Sequence, residues 1–170
     1  GFQRHGLVPD MVSLGKPMGN GYPIAGLVIR PEVIAEFGAK ARYFNTFGGN
    51  AVAAATAMAV LEVVQNEGLQ ENARVVGSAF RDELLGLAKT HECLGELRAA
   101  GLFLGQDIVT NGAPDAALAG RIVNGLREAR VLISATGPRA NVLKIRPPLV
   151  FSGENVDYFL TAFEGVLRKL

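Results

Sequence analysis

Pro9-Asp10-Met11-Val12-Ser13-Leu14-Gly15-Lys16-Pro17-Met18-Gly19-Asn20-Gly21-Tyr22-Pro23 is the stretch on which the fold turns. Residues 8–15 read as an entry turn and a short, mostly apolar strand, with Lys16 directly behind it. Residues 17–23 are so dense in Pro, Gly and Asn that they form a shaped loop. Residues 24–29, Ile-Ala-Gly-Leu-Val-Ile, are a continuous apolar run suited to a buried strand. A lysine at such a junction has two readings. It is a solvated charge at a strand end, or it is an amine held among glycines that permit close approach of a ligand. In the second case burial disfavours the ammonium form and frees the amine to attack an aldehyde.

A second glycine-rich loop follows at Tyr43-Phe44-Asn45-Thr46-Phe47-Gly48-Gly49-Asn50. Before it, Pro31 stands as the first residue of a short helix ending near Phe37, with Gly38 closing it. After it, residues 51–65 form a helix that is apolar nearly all round and is therefore expected to be buried. Thr46 and the glycines offer a hydroxyl, backbone N–H groups and a positive helix end, a set that suits a phosphate. The plainer reading is an ordinary first turn capped by Asn50 or Thr46.

The chain has 170 residues, 49% hydrophobic and 19% charged, against about 25% charged in an average domain. That balance excludes intrinsic disorder and supports a sizeable core. Seventeen basic and sixteen acidic residues leave a formal charge of +1, so no nucleic-acid footprint appears. Cys93 is the lone cysteine, which excludes an internal disulfide. His5 and His91 have no partners at a zinc spacing, so no metal is expected; His91 and Cys93 belong to a surface turn. The longest apolar run, residues 51–61, is shorter than the roughly 20 residues of a membrane helix. With no signal peptide or lipidation motif at the start, the expectation is a cytoplasmic protein without a membrane partner. The G-x-G-x-x-G, P-loop and G-x-S-x-G motifs are all missing.

Gly68 marks a break, and Leu69, Ala73, Val76, Phe80, Leu84 and Leu87 then recur at helical spacing. The expected division is residues 1–67 and 68–170. In the second part, residues 102–109, 131–133 and 142–146 read as strands, with Pro147-Pro148 ending the last. Residues 115–129 and 154–170 read as helices. Ser152 is the N-cap of the latter, with Asn155 where a capping box usually has Glu or Gln.

The block around Lys16 resembles the signature of class III aminotransferases, the pyridoxal-phosphate enzymes of fold type I. Thr46-Phe47-Gly48-Gly49-Asn50 is similar to that family's next block, and Gly101-Leu102-Phe103-Leu104-Gly105 and Pro147-Pro148-Leu149 resemble its later ones. The resemblance implies an α/β fold: the end of the large cofactor-binding domain over 1–67 and the small C-terminal α/β domain over 68–170. It implies that Lys16 carries pyridoxal 5'-phosphate as a Schiff base. Thr46 would bind the cofactor phosphate, usually the neighbouring subunit's in a homodimer, in a loop shaped by Gly48, Gly49 and Asn50. The reaction implied moves an amino group from an amino acid or amine to a 2-oxo acid.

Two departures qualify it. The family's pyridine-pairing aspartate, ring-stacking aromatic and second phosphate loop do not precede Gly1, and Asp10 is not that aspartate. The chain therefore reads as a C-terminal fragment, with a catalytically incomplete piece as one alternative to an active enzyme. Many members also carry a carboxylate-binding Arg three residues before Pro-Pro, where Lys144 stands here, with Arg146 beside Pro147. Strand alternation sets Lys144 and Arg146 on one face, where they meet a substrate anion or are solvated charges. Asn141-Val142-Leu143-Lys144-Ile145-Arg146-Pro147-Pro148 resembles a branch of the family that eliminates phosphate from amino-alcohol phosphates. That makes a phospho-lyase the alternative to transamination.

Overall fold

A computed structural model describes residues 1–170. The chain divides into two compact units, Gly1–Glu67 and Gly68–Leu170.

In the first unit, β1 (Met11–Leu14) and β2 (Gly26–Ile29) pair antiparallel, Met11 opposite Ile29 and Leu14 opposite Gly26. The apolar run at 24–29 suggests a buried strand, yet Leu27 and Val28 are 58% and 61% exposed. A two-stranded ribbon has no second layer of its own to cover both faces. Helix α1 (Pro31–Lys40) starts on Pro31 but runs through Gly38, past the expected end at Phe37. A single helical Gly costs only about 1 kcal/mol, and the Glu36–Lys40 pair on the next turn opposes fraying. Arg30 ties the start of α1 to the ribbon: its N–H donates to the Asp10 carbonyl, and its guanidinium lies 3.4 Å from the Asp10 carboxylate. Helix α2 (Ala51–Asn66) buries only Ala53 and leaves Val52, Met58, Leu61 and Val63 exposed, against the expectation of a buried helix. Its apolar surface runs all round, whereas residues 1–67 cover one side.

The second unit holds α3 (Leu69–Ala88), β3 (Leu94–Ala100), β4 (Phe103–Thr110), β5 (Ala113–Pro114), α4 (Ala116–Glu128), β6 (Ser134–Thr136), β7 (Val142–Ile145) and α5 (Gly153–Leu167). The sheet runs β3-β4-β7-β6, antiparallel throughout, with β5 paired to β4. Strand alternation turns Leu104, Ile108, Leu143 and Ile145 to one face. There they form one core with Phe80 and Leu84 of α3, Ile122 and Leu126 of α4, and Phe159 and Phe163 of α5. The other face is free of helices.

Three local readings change. Residues 131–133 are not a strand: Arg130 takes a left-handed conformation (φ 64°) and the Val131 N–H donates back to the Leu126 carbonyl, so this stretch leaves the helix and pairing begins only at Ser134. Strand β3, Leu-Gly-Glu-Leu-Arg-Ala-Ala, is absent from the sequence reading because Gly, Glu and Ala disfavour strands; pairing with β4 imposes it, across a bulge between Leu94 and Leu97. At the chain end α5 stops at Leu167 and not at residue 170.

The caps are polar side chains. Asp115 accepts from the Leu118 N–H at the start of α4, and that bond, followed by one from the Thr110 hydroxyl, holds its carboxyl below the usual value. At α5 the amide oxygen of Asn155 accepts from the Ser152 N–H while the Ser152 hydroxyl accepts from Asn155, a complete capping box without a carboxylate.

Candidate active site

Lys16 opens a 3₁₀ turn, Lys16–Gly19, that leaves β1. Its φ is 49° and that of Asn20 is 44°, so two residues with side chains occupy the left-handed region in one loop. Such conformations cost about 1–3 kcal/mol each and gather at functional sites. The loop is tied inside itself, Met18 N–H to Gly15 carbonyl, Asn20 to Pro17 and Tyr22 to Gly19. Gly19 is buried, and a Cβ there would stand 2.7 Å from Ile24 Cγ2, so the turn closes only with glycine. Helix α2 packs on this turn. Lys16 itself is exposed, and residues 1–67 do not supply the burial that the argument for a desolvated amine invoked.

The second loop is organised by its two asparagines. Asn45 Oδ1 accepts from the Phe47 and Gly48 N–H groups at 3.2 and 3.0 Å. Asn50 Nδ2 donates to the Phe47 carbonyl, and its Oδ1 caps α2 by accepting from Ala53 N–H at 2.9 Å. The cap is therefore Asn50, which leaves the Thr46 hydroxyl exposed and unbonded four residues before it. A Cβ on Gly48 would meet Asn45 Cγ at 2.9 Å, and Gly49 has φ 70°, so both glycines are required by the loop's shape. An exposed amine on one strained loop, and an exposed hydroxyl on another loop that leads into a helix N-terminus, are the donors that an aldehyde bearing a phosphate needs. The residues present fit pyridoxal phosphate.

Lys144 and Arg146 both alternate with the buried Leu143 and Ile145. Strand β7 ends at Ile145, and the two residues line different cavities. Arg146 borders an open cavity of about 310 Å³ with Arg130, Phe151 and Tyr158. Lys144 borders one of about 560 Å³ on the open sheet face, together with Arg98. Sequence reasoning missed Arg98 because it missed β3. Its guanidinium is bonded to Asp107 and, at 2.8 Å, to Glu96; Asp107 foremost raises its pKa, so its charge is fixed. The signal available was the Glu-x-Arg spacing, which sets both side chains on one strand face. No three His, Cys, Asp or Glu side chains are grouped to hold a metal, and no helix is long and apolar enough to cross a membrane.

These features define a pyridoxal-phosphate-dependent transferase of fold type I, in its C-terminal portion. The class III aminotransferase family model matches residues 1–167, and the chain belongs to that family, whose cofactor is pyridoxal 5'-phosphate. The alanine–glyoxylate aminotransferase 2-like protein of Drosophila melanogaster is 42% identical over 99% of this chain and 35% of its own length. Ethanolamine-phosphate phospho-lyase homolog 1 of Caenorhabditis elegans is also 42% identical, over 97% of this chain and 36% of its own length. The chain thus spans about a third of these relatives. Among solved structures, a phospholyase from Arthrobacter in complex with phosphoethanolamine aligns at a TM-score of 0.95 with 41% identity, covering 99% of this chain and 41% of that one. Several transaminases align at 0.82 to 0.89 with 25 to 29% identity.

Proposed function

We propose that Lys16 carries the cofactor, that Thr46 with Gly48, Gly49 and Asn50 receives a cofactor phosphate across a homodimer, and that the parent enzyme eliminates phosphate from a small amino-alcohol phosphate. When bound, pyridoxal phosphate supplies an electron sink next to the substrate's nitrogen-bearing carbon. Lys16 would be the base that takes the proton from that carbon. Lys144 faces the departing phosphate and stabilises its charge.

The observation that carries this reading is Lys144. A carboxylate-binding arginine works as a planar two-point fork, whereas a lysine offers a compact point charge with no preference for a flat partner. Lys144 has no carboxylate partner, so its charge is available. The likeness to the phospholyase solved with phosphoethanolamine supports the same choice. Transamination between an amino donor and a 2-oxo acid, placed first by the sequence, is the second reading; the relative named an aminotransferase favours it.

An amino acceptor separates the two. The parent-length enzyme given phosphoethanolamine and no 2-oxo acid is expected to release inorganic phosphate, with acetaldehyde and ammonia in equal amounts. Phosphate release that is absent, together with amino transfer that appears only on adding an oxo acid, establishes the transaminase instead.

A further inference from the structure

The open face of the second unit's sheet carries a row of side chains that crosses all four main strands. Arg98 of β3 stands opposite Gly105 of β4, Gly105 opposite Lys144 of β7, and Lys144 opposite Ser134 of β6. Directly opposed residues in antiparallel strands point to the same side. The flanking Leu104, Leu143 and Ile145 are buried under the helices, so the row faces away from them. Two strand spacings of about 4.8 Å put Arg98 and Lys144 about 10 Å apart at their Cα atoms.

Between the two cations lies a glycine. Gly105 has no side chain to fill the gap, and the space above it is the cavity of about 560 Å³ that Arg98, Phe103, Val142 and Lys144 border. A Cβ on Gly105 would stand 3.3 Å from Val142 Cγ1 and would narrow that gap. Glu96 and Asp107 hold the guanidinium in one orientation. They balance its charge but engage only part of its five-donor fork. Lys144 adds an ammonium with no counter-ion. A guanidinium fixed in advance, a free point charge and an open space between them form a recognition set for a tetrahedral oxyanion.

We infer that Arg98 and Lys144, across Gly105, form a phosphate subsite in which Arg98 donates from a fixed position and Lys144 supplies the uncompensated charge. The ligand class is a phosphate monoester of a small molecule, with free phosphate as its minimal form. The identity of that monoester as substrate rests on the phospho-lyase reading; the anion site does not. The carboxylates make Arg98 the more rigid partner, so its loss cannot be made good by a swing of Lys144.

The test is a calorimetric titration of the 170-residue chain with inorganic phosphate and, separately, with phosphoethanolamine. Arg98→Gln and Lys144→Gln are each expected to weaken phosphate at least about tenfold, with unchanged circular dichroism. Arg98→Lys, which keeps the charge and loses the fork, recovers only part of the affinity. Arg81→Gln removes one charge from α3 and leaves binding as in the parent chain. Phosphate affinity that survives Arg98→Gln unchanged, or a chain that takes up no phosphate at millimolar concentration, overturns the subsite. Phosphate binding that needs Arg98 in an enzyme that releases no phosphate from phosphoethanolamine keeps the subsite and removes the lyase.

Discussion

Replacing Lys16 with alanine is expected to abolish covalent capture of pyridoxal phosphate at the turn after β1, where we propose the cofactor attaches. After incubation with pyridoxal phosphate and borohydride reduction, peptide mass analysis of the native chain finds the reduced adduct concentrated on the peptide that contains Lys16. The Lys16→Ala chain carries none there. The argument rests on placement: among the lysines, Lys16 alone opens a strained, glycine-bounded turn at the end of a strand. Lys40 is tied to Glu36 on the surface of α1, and reacts only as any exposed amine would. In the parent-length enzyme the same substitution would also remove the proposed base, and positioned acid–base groups contribute about 10²–10⁴-fold on their own. Turnover should fall by at least that factor, while substrate affinity changes little. Adduct spread evenly over the surface lysines of the native chain would show that residues 1–67 do not hold the amine in reactive geometry by themselves.

The second large effect concerns the fold of residues 68–170. Gly77 lies buried on α3 against the β3–β4 turn, where an added Cβ would stand 2.3 Å from the Gly101 carbonyl carbon and 2.4 Å from its oxygen. Those atoms are backbone, and Gly101 is itself fixed at φ 55° in a turn that returns Ala100 to Phe103. Neither side can yield by changing a rotamer. Gly77→Ala is therefore expected to destabilise the unit by about 3 kcal/mol, the upper end of ordinary overpacking. Gly86→Ala, in the same helix with open space around it, is expected to stabilise by about 0.5–1 kcal/mol through the reduced entropy of the unfolded chain. Urea midpoints for the two variants should move in opposite directions; movement together would mean that helix propensity, and not the approach of α3 to Gly101, governs this site.

What the sequence discloses depends on where the information is local. The loop at Lys16 and the loop at Thr46 are built from Gly, Pro and Asn, whose backbone preferences are written in single residues, and both form as shaped loops. The choice between Thr46 and Asn50 as the cap of α2 is not local. It is settled by Asn50 reaching back to Phe47 and forward to Ala53 at once, which frees the threonine. Strand β3 is invisible for the same kind of reason: its composition argues against a strand and only its partner β4 enforces one. Arg98 went unseen with it. Alternation sets Lys144 and Arg146 on one face, and the burial pattern follows it, but the ladder ends at Ile145 and the two residues border different cavities. The burial expected for α2 fails because a helix's composition tells how much covering it requires, not which residues provide it.

The uneven distribution of buried side chains has an energetic consequence. Of the buried hydrophobic residues, Ala53 is the single one before Gly68, while all the rest belong to the second unit. Local opening free energy follows the burial of apolar surface, so the backbone amides of β1, β2 and α2 exchange with solvent through small fluctuations, while those of β4, β7 and α5 wait for global unfolding. Both loops proposed to hold the cofactor sit on the lightly protected side. A ligand that binds only the ordered form of those loops stabilises them in proportion to the logarithm of its concentration over its dissociation constant. Pyridoxal phosphate would then be part of what keeps residues 1–67 folded, and its vitamin precursor a determinant of the protein's lifetime as well as of its chemistry.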